Sequence, residues 1–576
     1  GEPLQPWCAV GAMAGQFALS ACLQTGAEAG AAAVQGLDIT QAAVEPVAEL
    51  ALAIKTLAAA VVDDLVVTHI SSFLPAETTV RKDKGKTFVD LQHDVTANDV
   101  FMAHSEGYRS VEHLKRYTTL GMATDQGKTS NLNALMLLAQ AGQRKIPEVG
   151  TTRFRPPYTP VALGALAGQS TGAHFKPVRK TAMHDWHMAN GGDMVAVGLW
   201  QRPRAYLQAG ESVDDAYRRE AGHVRKHCGL VDVSTLGKID VQGPDAAEFL
   251  QKVYTNNWLK LPIGKARYGV MLREDGVVFD DGTTWRLDEH RYLMTTTTAH
   301  AGPVLAHLEF LLATVWPELR VNVTSITDQW AAMAIAGPKS RDVLAAALSD
   351  IDLSEEGLPF MGVREGRLGD VPVLVARLSF SGERAYEVYC GTPSGHKVWT
   401  GLLAAGADFN IVPYGTEAMA TMRIEKGHVA GPELDGRTTA LELGLAGMGS
   451  KNPEYVGSVM QGREGLVTAD RHKLVGLVSM DGKPIRSGSH LVSSLQAAKL
   501  ACGKPVGREA VHSEGHVAST TFSPALDQSI ALGLLAGGLD RLGETVYATF
   551  PLNNTYGPVK VVEPCFFDPD GSRLYE

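Results

Sequence analysis

The stretch GKARYGVMLREDGVVFDDGTTWRLDEHRYLMTTTT, residues 264–298, determines how most of this chain can fold. Three of its runs favour β-strands because they are rich in apolar, aromatic and β-branched residues, and these runs are 270–273, 285–287 and 291–297. Glu274, Asp275 and Gly276 supply a turn after the first run, since Gly adopts positive φ and Asp bonds to its own backbone. Residues 288–290 supply a second turn, before the last run. The stretch therefore predicts a hairpin followed by a further strand.

Two adjacent acids, Asp280 and Asp281, lie within this strand-forming context. Neighbouring residues on a strand point to opposite faces, so one acid can face solvent while the other points into the fold. A carboxylate that points inward must find hydrogen-bond donors or a charged ligand, because burying it unpaired is costly. The alternative is an ordinary solvated pair of acids at a turn.

The same segment resembles the folate-binding core of the glycine-cleavage T-protein (aminomethyltransferase) family. That family carries a Gly-x-x-x-Asp-Asp pattern after a Tyr-x-x-x-Leu strand, and the matching positions here are Tyr268, Leu272, Gly276, Asp280 and Asp281. Further segments are similar to the family in the same order, namely residues 228–251, 378–391 and 414–435. One such match is weak, but four in register make the resemblance specific.

The composition limits the classes of function. The chain has 576 residues, with 53 Lys and Arg against 63 Asp and Glu, which argues against nucleic-acid binding driven by net charge. This length suggests about three to five domains. The six cysteines include no Cys-x-x-Cys pair, and we expect them to be reduced in a cytoplasmic protein. No apolar run reaches the roughly 18 residues of a membrane span, so none is expected.

The first 36 residues are rich in Gly and Ala and predict a strand, a Gly turn and a small-residue helix. In flavoproteins with two dinucleotide domains, such a unit closes the nucleotide domain. Its turn, here Gly11 and Ala12, would offer backbone N–H groups to an anionic cofactor. No G-x-G-x-x-G fingerprint precedes this turn. We therefore expect residues 1–85 to be the closing piece of a dinucleotide-binding domain plus a linker, with an Ala/Gly-rich helical hairpin without a ligand as the alternative.

Residues 86–160 have the pattern of a small helical domain. Thr96 is followed three residues later by Asp99, which is typical of a capping box at the start of a helix. A second helix is predicted to start near Ser110, and an apolar helix is predicted over residues 131–142.

Two segments of this helical part, VEHLKRYTTLGMATDQGKTSN and EVGTTRFRPPYTPV, resemble the alpha subunit of heterotetrameric sarcosine oxidase. With the T-protein-like half behind them, the resemblance spans nearly all 576 residues. That family places FMN between its alpha and beta subunits. Lys128, Thr129 and Ser130 follow a glycine and combine a cation with hydroxyls, so they are our candidates for this chain's share of the FMN site. A well-capped loop that docks on the next domain is the alternative.

The remaining chain divides into three parts. We predict a linker at residues 161–185, a T-protein-like folate-binding domain at 186–470 and a C-terminal β-barrel at 471–576, where short strands alternate with Gly turns. The expected fold class of the whole chain is α+β, with a nucleotide-domain remnant, a small helical domain, the folate-binding domain and the barrel. The His-Asp-Trp-His run at 184–187 lacks a regularly presented third ligand, so no metal site is predicted.

The T-protein resemblance implies roles for individual residues. Asp281 matches the family's acid near N10 of tetrahydrofolate and is the predicted catalytic residue. Glu387 matches the acid on the pterin ring, and Phe380 stands where the family has a tyrosine. Tyr254 and Tyr268 are predicted walls of the folate site, with an ordinary place in the core as the alternative.

The two resemblances together imply a function. We expect the folate-binding subunit of a multi-subunit oxidase of sarcosine or another N-methyl amine, which captures the one-carbon unit of the imine on tetrahydrofolate as 5,10-methylenetetrahydrofolate. The implied partners are a flavoprotein beta subunit and small accessory subunits, with FMN at a subunit interface, FAD on a partner subunit and NAD as a further candidate cofactor. The alternatives are a freestanding tetrahydrofolate-dependent aminomethyl- or methyltransferase and a non-catalytic folate-binding scaffold.

Overall fold

The computed structural model describes residues 19–35, 86–156, 158–451, 454–502 and 511–575. Gly11 and Ala12, the predicted nucleotide-binding residues, lie outside this described part. The chain separates into two compact units, Gly1–Phe175 and Lys176–Glu576. Helices and strands are both present in each unit, so the predicted α+β class is confirmed. Within the described ranges, no helix is both long enough and apolar enough to cross a membrane.

The described part of the first unit is mostly helical. Its elements in chain order are α1 (Leu19–Gln35), β1 (Phe88–Asp90), β2 (Val95–Thr96), α2 (Ala97–Ser105), α3 (Val111–Thr118), α4 (Asn131–Ala141), α5 (Ile146–Val149) and α6 (Leu163–Ala167). The helices α2 to α5 surround one apolar core, in which Val100, Leu114 and Leu135 are fully buried. The helices predicted from Ser110 onward and over residues 131–142 are confirmed as α3 and α4.

The start of α2 has the predicted capping box. The backbone N–H of Asp99 donates a hydrogen bond to the Thr96 hydroxyl at 3.3 Å, and the backbone N–H of Thr96 donates to the Asp99 carboxylate at 2.7 Å. The first N–H groups of a helix have no partner within the helix, so these two bonds stabilise its start.

The second unit contains most of the strands. Its elements in chain order are α7 (His184–Ala189), β3 (Gly192–Val197), β4 (Trp200–Tyr206), α8 (Val213–Lys226), β5 (Cys228–Asp232), β6 (Gly237–Gln242), α9 (Ala246–Val253), β7 (Lys265–Leu272), β8 (Val278–Asp288), β9 (Arg291–Thr296), α10 (Ala301–Phe310), β10 (Asn322–Ser325), β11 (Trp330–Ala336), α11 (Ser340–Ala347), β12 (Val363–Leu368), β13 (Val371–Ala376), β14 (Ala385–Gly391), α12 (Gly395–Ala405), β15 (Ile411–Pro413), α13 (Thr416–Lys426), α14 (Glu464–Val467), β16 (His472–Ser479), β17 (His490–Val492), α15 (Leu495–Ala501), β18 (Gly515–Ser523), β19 (Gln528–Ala536), β20 (Thr545–Phe550) and β21 (Thr555–Val562).

Two sheets form the body of this unit. The five-stranded sheet has the order β10-β6-β9-β8-β7, and the six-stranded sheet has the order β12-β13-β14-β11-β5-β15. One cluster of buried side chains joins them, with Trp285 from β8 packed together with Val231, Ala332 and Tyr389 from β5, β11 and β14. The space between the two sheets is therefore where residues from both can meet.

The stretch of residues 264–298 forms β7, β8 and β9, which are antiparallel neighbours in the five-stranded sheet. The predicted hairpin and third strand are confirmed, although β8 is longer than predicted and includes both Asp280 and Asp281. Gly276 has the expected positive φ, +86°, in the turn. At Gly282 a Cβ would come within 2.1 Å of the Thr295 carbonyl oxygen, so glycine here lets β8 and β9 approach closely.

The C-terminal strands form the predicted barrel. It is closed, in the order β16-β19-β18-β17-β20-β21. Leu477, Leu535 and Val561 belong to a buried cluster of barrel side chains. In a second cluster, Leu474 and Ile530 of the barrel pack with residues of β7 and β8, so the barrel supports the strand that carries the two acids and the strand beside it.

The six-stranded sheet ends in two strands of unusual composition. At one edge, β15 has three residues and closes with Pro413, which has no backbone N–H. At the other edge, β12 carries Arg364, Glu365 and Arg367 among its six residues.

Candidate functional site

One face of β8 points into the space between the two sheets. Asp281, Thr283 and Trp285 alternate along the strand and so share this face. The Trp285 ring lies 4.6 Å, centroid to centroid, from the ring of Tyr389 on β14 of the opposite sheet. The indole Nε1–H of Trp285 donates a hydrogen bond to the Thr283 hydroxyl at 2.9 Å, which orients the ring. Asp281 therefore faces the six-stranded sheet.

Asp281 is half-buried and bonded to a tyrosine. Its direct partner on β7 is Val270, so Tyr268 is a diagonal neighbour on the same face, and the Tyr268 hydroxyl donates to Asp281 Oδ2 at 2.8 Å. Burial, and secondly the adjacent charge of Asp280, raise the pKa of Asp281 to about 7. Burial and the Asp281 charge also raise the pKa of Tyr268, so the phenol remains a donor. At neutral pH, Asp281 can thus both hold and release a proton.

Asp280 points to the other face and is the more deeply buried acid. Only 2 % of its surface is exposed. Its carboxylate accepts hydrogen bonds from the hydroxyl of Thr297 at 2.8 Å and from the Thr297 backbone N–H at 3.2 Å. His300 Nδ1 lies 3.2 Å from Asp280 Oδ1, so this nitrogen carries the proton. Asp280 therefore has the hydrogen-bond donors that a buried carboxylate requires. Asp281 is the more exposed of the two acids.

Glu387 lies on the facing sheet. It precedes Tyr389 by two positions on β14, so both side chains share one face, and the Tyr389 hydroxyl donates to Glu387 Oε2 at 3.0 Å. Burial raises the pKa of Glu387, and the charge of Lys238 opposes that rise. Since Tyr389 contacts Trp285, Glu387 and Asp281 face the same space from opposite sheets.

Lys238 of β6 is fully buried beside this space. Its ammonium donates to the backbone carbonyls of Ser234 at 2.8 Å and Leu236 at 3.0 Å, and it lies 5.6 Å from the centroid of the Tyr389 ring. Burial lowers the pKa of Lys238 to about 8. The site thus contains a buried cation close to Glu387.

Tyr254 lies on the opposite side of the five-stranded sheet. Its hydroxyl accepts a hydrogen bond from Thr284 at 3.4 Å, and Thr284 alternates with the residues that share the face of Asp281. The Tyr254 ring is fully buried, 5.0 Å from the ring of Trp258, in a cluster that includes side chains of α9 and α10. This placement corresponds to the core alternative, and we leave Tyr254 out of the candidate site.

Phe380 lies in the loop between β13 and β14. Its ring is 40 % exposed and 5.9 Å from the ring of His428, whose Nδ1 lies 3.0 Å from the Phe380 carbonyl oxygen. These contacts tie Phe380 to His428 rather than to Asp281, so its part in a folate site stays a prediction.

Four residues of the site were missed by sequence reasoning: Lys238, Thr283, Trp285 and Tyr389. Three of them carried a readable signal. Thr283 and Trp285 follow Asp281, and Tyr389 follows Glu387, at the period of two that places residues on one strand face. Lys238 carried none, since a lysine at the start of a strand is ordinarily solvated.

In the predicted FMN loop, two of the three predicted residues already bond to other groups of this chain. Lys128 is exposed, donates to the Tyr158 carbonyl oxygen at 2.7 Å and lies 3.8 Å from the centroid of that ring. The Thr129 hydroxyl donates to Asp125 Oδ2 at 2.7 Å. Ser130 is buried, and its hydroxyl has no hydrogen-bond partner among the described residues. Lys128 and Thr129 are therefore the two side chains of this loop that a ligand could reach.

A separate cavity of about 440 Å³ lies where the barrel meets the preceding loop, and its lining includes Arg437, Glu442, His472, His490 and His516. It contains neither Asp281 nor Glu387. In the described ranges, no group of three or more His, Cys, Asp or Glu residues is arranged to hold a metal ion. We therefore place the candidate site between the two sheets.

Three sequence profiles of known domain families match this chain. The GCVT N-terminal domain matches residues 183–452, the glycine cleavage T-protein C-terminal barrel domain matches residues 472–568, and the sarcosine oxidase A3 domain matches residues 84–169. The aminomethyltransferase of Streptomyces coelicolor is 31% identical over 360 residues, which are 62% of this chain and 88% of that relative. The chain belongs to the aminomethyltransferase family.

Two further comparisons extend this family assignment. The crystal structure of glycine cleavage system aminomethyltransferase T from Bartonella henselae superposes with a TM-score of 0.58 at 23% identity, covering 68% of this chain and 99% of that one, so the two share a fold. The sarcosine oxidase subunit alpha of Rhizobium meliloti is 48% identical over 497 residues, which are 85% of this chain and 49% of that relative. This aminomethyltransferase-family chain is thus a homologue of sarcosine oxidase alpha subunits and spans about half the length of that curated relative.

We expect Asp281→Asn to make this aminomethyltransferase-family chain more stable at about pH 8, but not at about pH 4. The pKa of Asp281 is about 7 in the folded chain and about 4 in an unfolded one, so ionisation destabilises the fold progressively as pH rises between these values. Asn avoids this cost, so the gain in unfolding free energy should be on the order of 4 kcal/mol above pH 7, since each pKa unit corresponds to about 1.4 kcal/mol. Urea unfolding at both pH values measures it, and an equal effect at both would contradict the raised pKa.

Proposed function

We propose that this chain is the folate-binding subunit of a multi-subunit oxidase of sarcosine or a related N-methyl amine, and that it captures the one-carbon unit as 5,10-methylenetetrahydrofolate. The observation that carries the proposal is the placement of Asp281 and Glu387 on facing sheets, with the contacting rings of Trp285 and Tyr389 in the same space. The 48% identity to a sarcosine oxidase alpha subunit supports the oxidase part.

The residues present fit tetrahydrofolate in their chemistry. A pterin has a guanidine-like edge of donors, and a carboxylate can pair with such an edge through two hydrogen bonds, which offsets the cost of burying it. Glu387 supplies a carboxylate whose Oε2 is oriented by Tyr389. Trp285 and Tyr389 are fully buried and contact each other, so they would support the site from behind rather than touch the ligand. Glu387 would hold the pterin, with its carboxylate oriented by the Tyr389 hydroxyl.

Asp281 would act at the reacting nitrogen. In its ionised form it places a negative charge where positive charge develops on that nitrogen, and in a site away from water such a charge is strongly stabilising. In the transfer, the methylene carbon would form bonds to N5 and N10 of tetrahydrofolate, and its bond to the amine nitrogen would break, so that the demethylated amine leaves with the two protons from N5 and N10. With a pKa of about 7, Asp281 can take up and return such a proton. The Tyr268 hydroxyl, bonded at 2.8 Å, would hold the carboxylate in one orientation. Enclosure between the sheets would keep water from hydrolysing the imine.

Amine oxidation needs a cofactor that accepts hydride. We assign this step to a flavoprotein beta subunit, with FAD on a partner subunit, FMN at the interface, NAD as a further candidate and small accessory subunits completing the assembly. The match of residues 84–169 to the sarcosine oxidase A3 domain supports the assignment. Lys128 and Thr129, both exposed, would be this chain's contacts to FMN.

Glu387→Gln tests the folate site directly. The change keeps the size of the side chain and removes its charge, and hydrogen bonds to charged groups stabilise a complex by about 1.5–3 kcal/mol. We therefore expect the dissociation constant of tetrahydrofolate to rise by about 10-fold or more. Isothermal titration calorimetry on the full chain under anaerobic conditions measures this constant.

The matched control is Glu365→Gln, on the exposed surface of the edge strand β12. This variant should bind tetrahydrofolate like the wild type. If Glu387→Gln also binds like the wild type, Glu387 does not contact the pterin, and the proposed placement of the folate is wrong.

A freestanding aminomethyltransferase is the second candidate function. It is favoured by the coverage of the Streptomyces coelicolor relative, 88% of whose length aligns with this chain. Purification under native conditions separates the two. A yellow complex with further polypeptides supports the oxidase subunit, whereas a colourless single chain that transfers one-carbon units by itself supports the second candidate.

A further inference from the structure

The ionisation of Asp281 is affected by the charge of the neighbouring residue, Asp280. Asp280 and Asp281 are adjacent on β8, so the two carboxylates lie on opposite faces of the sheet but close together. Asp280 is almost fully buried, and its Oδ1 is 3.2 Å from His300 Nδ1. A buried acid beside Asp281 opposes its ionisation, and a cation on that acid would relieve the opposition.

His300 is held in place on two sides. Its ring stacks on that of Phe279 with 5.7 Å between centroids and 15° between planes. Asp280 bonds its Nδ1, and the same carboxylate is anchored by Thr297. The side chain is nevertheless 40 % exposed, so its charge can respond to the pH of the solvent. His300 therefore combines a fixed position with free access for protons.

We propose that His300 and Asp280 are positioning residues that set the protonation state of Asp281. The proposal rests on the proposed function, in which ionised Asp281 assists one-carbon transfer. In this proposal, His300 acts on the buried carboxylate of Asp280, and Asp280 in turn acts on Asp281. No contact of His300 with the substrate is involved.

Asp280 and His300 change the pKa of Asp281 in opposite directions. The titratable groups that act on Asp281 are Asp280 on its own strand, Tyr268 on β7 and His300 before α10, and Tyr254 lies within range of both acids. Asp280 raises the pKa of Asp281, whereas His300 and the Tyr268 hydrogen bond lower it. Asp280 in turn raises the pKa of His300, which favours the imidazolium near neutral pH. Removing His300 should therefore make Asp281 harder to ionise, and removing the Asp280 charge should make it easier.

The test is the pH profile of 5,10-methylenetetrahydrofolate formation in the assembled complex. Ionised Asp281 should give a rate that rises with pH around a midpoint near 7. His300→Gln should move this midpoint upward by about half a pH unit, because a partly exposed charge is screened. Asp280→Asn should move it downward by about one pH unit, since the lost charge is adjacent. A purely structural role would reduce the rate without moving the midpoint in opposite directions.

His307→Gln is the matched control. His307 also packs on Phe279, with 5.3 Å between centroids, but it has no bond to Asp280. It should leave the midpoint unchanged. If His300→Gln behaves like His307→Gln, or shifts the midpoint downward, the inference is overturned, and this variant is informative even if Asp280→Asn does not fold. If the wild-type complex itself forms no 5,10-methylenetetrahydrofolate, the proposed function fails instead, so the two failures are distinguishable.

Discussion

Replacing Asp281 by Asn is expected to slow the formation of 5,10-methylenetetrahydrofolate by about 10²-fold or more, as for the loss of a preorganised charge-stabilising group. The substitution preserves the size of the side chain and leaves an oxygen that can accept the bond from Tyr268. What it removes is the negative charge that, in the proposed function, faces the reacting nitrogen. Oxidation of the amine by the proposed partner subunit should continue, so the one-carbon unit should appear as free formaldehyde.

Measuring amine consumption and 5,10-methylenetetrahydrofolate separately in the assembled complex checks this result. Asp288→Asn serves as the control, because Asp288 lies at the exposed end of the same strand. This variant should be unaffected in both measurements. A wild-type rate of folate product in Asp281→Asn would reduce Asp281 to a structural acid and would favour the non-catalytic scaffold.

Arg225→Met is expected to lower the free energy of unfolding by about 3–5 kcal/mol, the usual cost of leaving a buried charge without its partner. Arg225 on α8 donates to Glu425 Oε2 on α13 through Nε at 2.9 Å and through Nη2 at 2.6 Å. Its Nη1 donates to Glu383 at 2.7 Å. In the variant, Glu383 would still accept a hydrogen bond from Arg573. Glu425 is fully buried and would lose its cationic partner, although it would still accept a hydrogen bond from the Ser523 hydroxyl.

Chemical denaturation of the two variants Arg225→Met and Arg320→Met measures this effect against a control. Arg320 pairs with Asp245 at 2.9 Å, but its side chain is mostly exposed. An exposed pair contributes about 0–1 kcal/mol, so Arg320→Met should change stability little. Equal effects of the two substitutions would show that burial does not govern the Arg225 network.

The strands around Asp281 can be predicted from local pattern, because the turn at Gly276 and the apolar runs beside it define a hairpin without distant contacts. The face of the strand on which each acid lies cannot be predicted in this way. Whether Asp280 or Asp281 points to the space between the sheets depends on which side of β8 the second sheet covers, and Tyr389, far along the chain, determines that. Glu387 could be matched to a family position, but its setting opposite β8 required the structure.

Tyr254 and Lys128 show a second limit of sequence reasoning. The prediction for Tyr254 rests on the family resemblance and that for Lys128 on residue type beside a glycine, and neither reveals which partner lies nearest. Tyr254 contacts Thr284 and Trp258 on the outer face of the sheet. Lys128 donates a hydrogen bond to the carbonyl oxygen of Tyr158, thirty residues further along the chain. The role of Lys128 toward FMN stays a prediction, as do the domain boundaries near residues 85, 160, 185 and 470.

The composition of the two outermost strands of the six-stranded sheet restricts how other proteins can bind it. An incoming chain that tried to lengthen the sheet would meet a missing donor at Pro413 of β15 and charged side chains along β12. Backbone-mediated β-augmentation is therefore disfavoured at both places. A protein that bound this sheet would have to recognise side chains instead, and the same two strands disfavour cross-β aggregation of this chain.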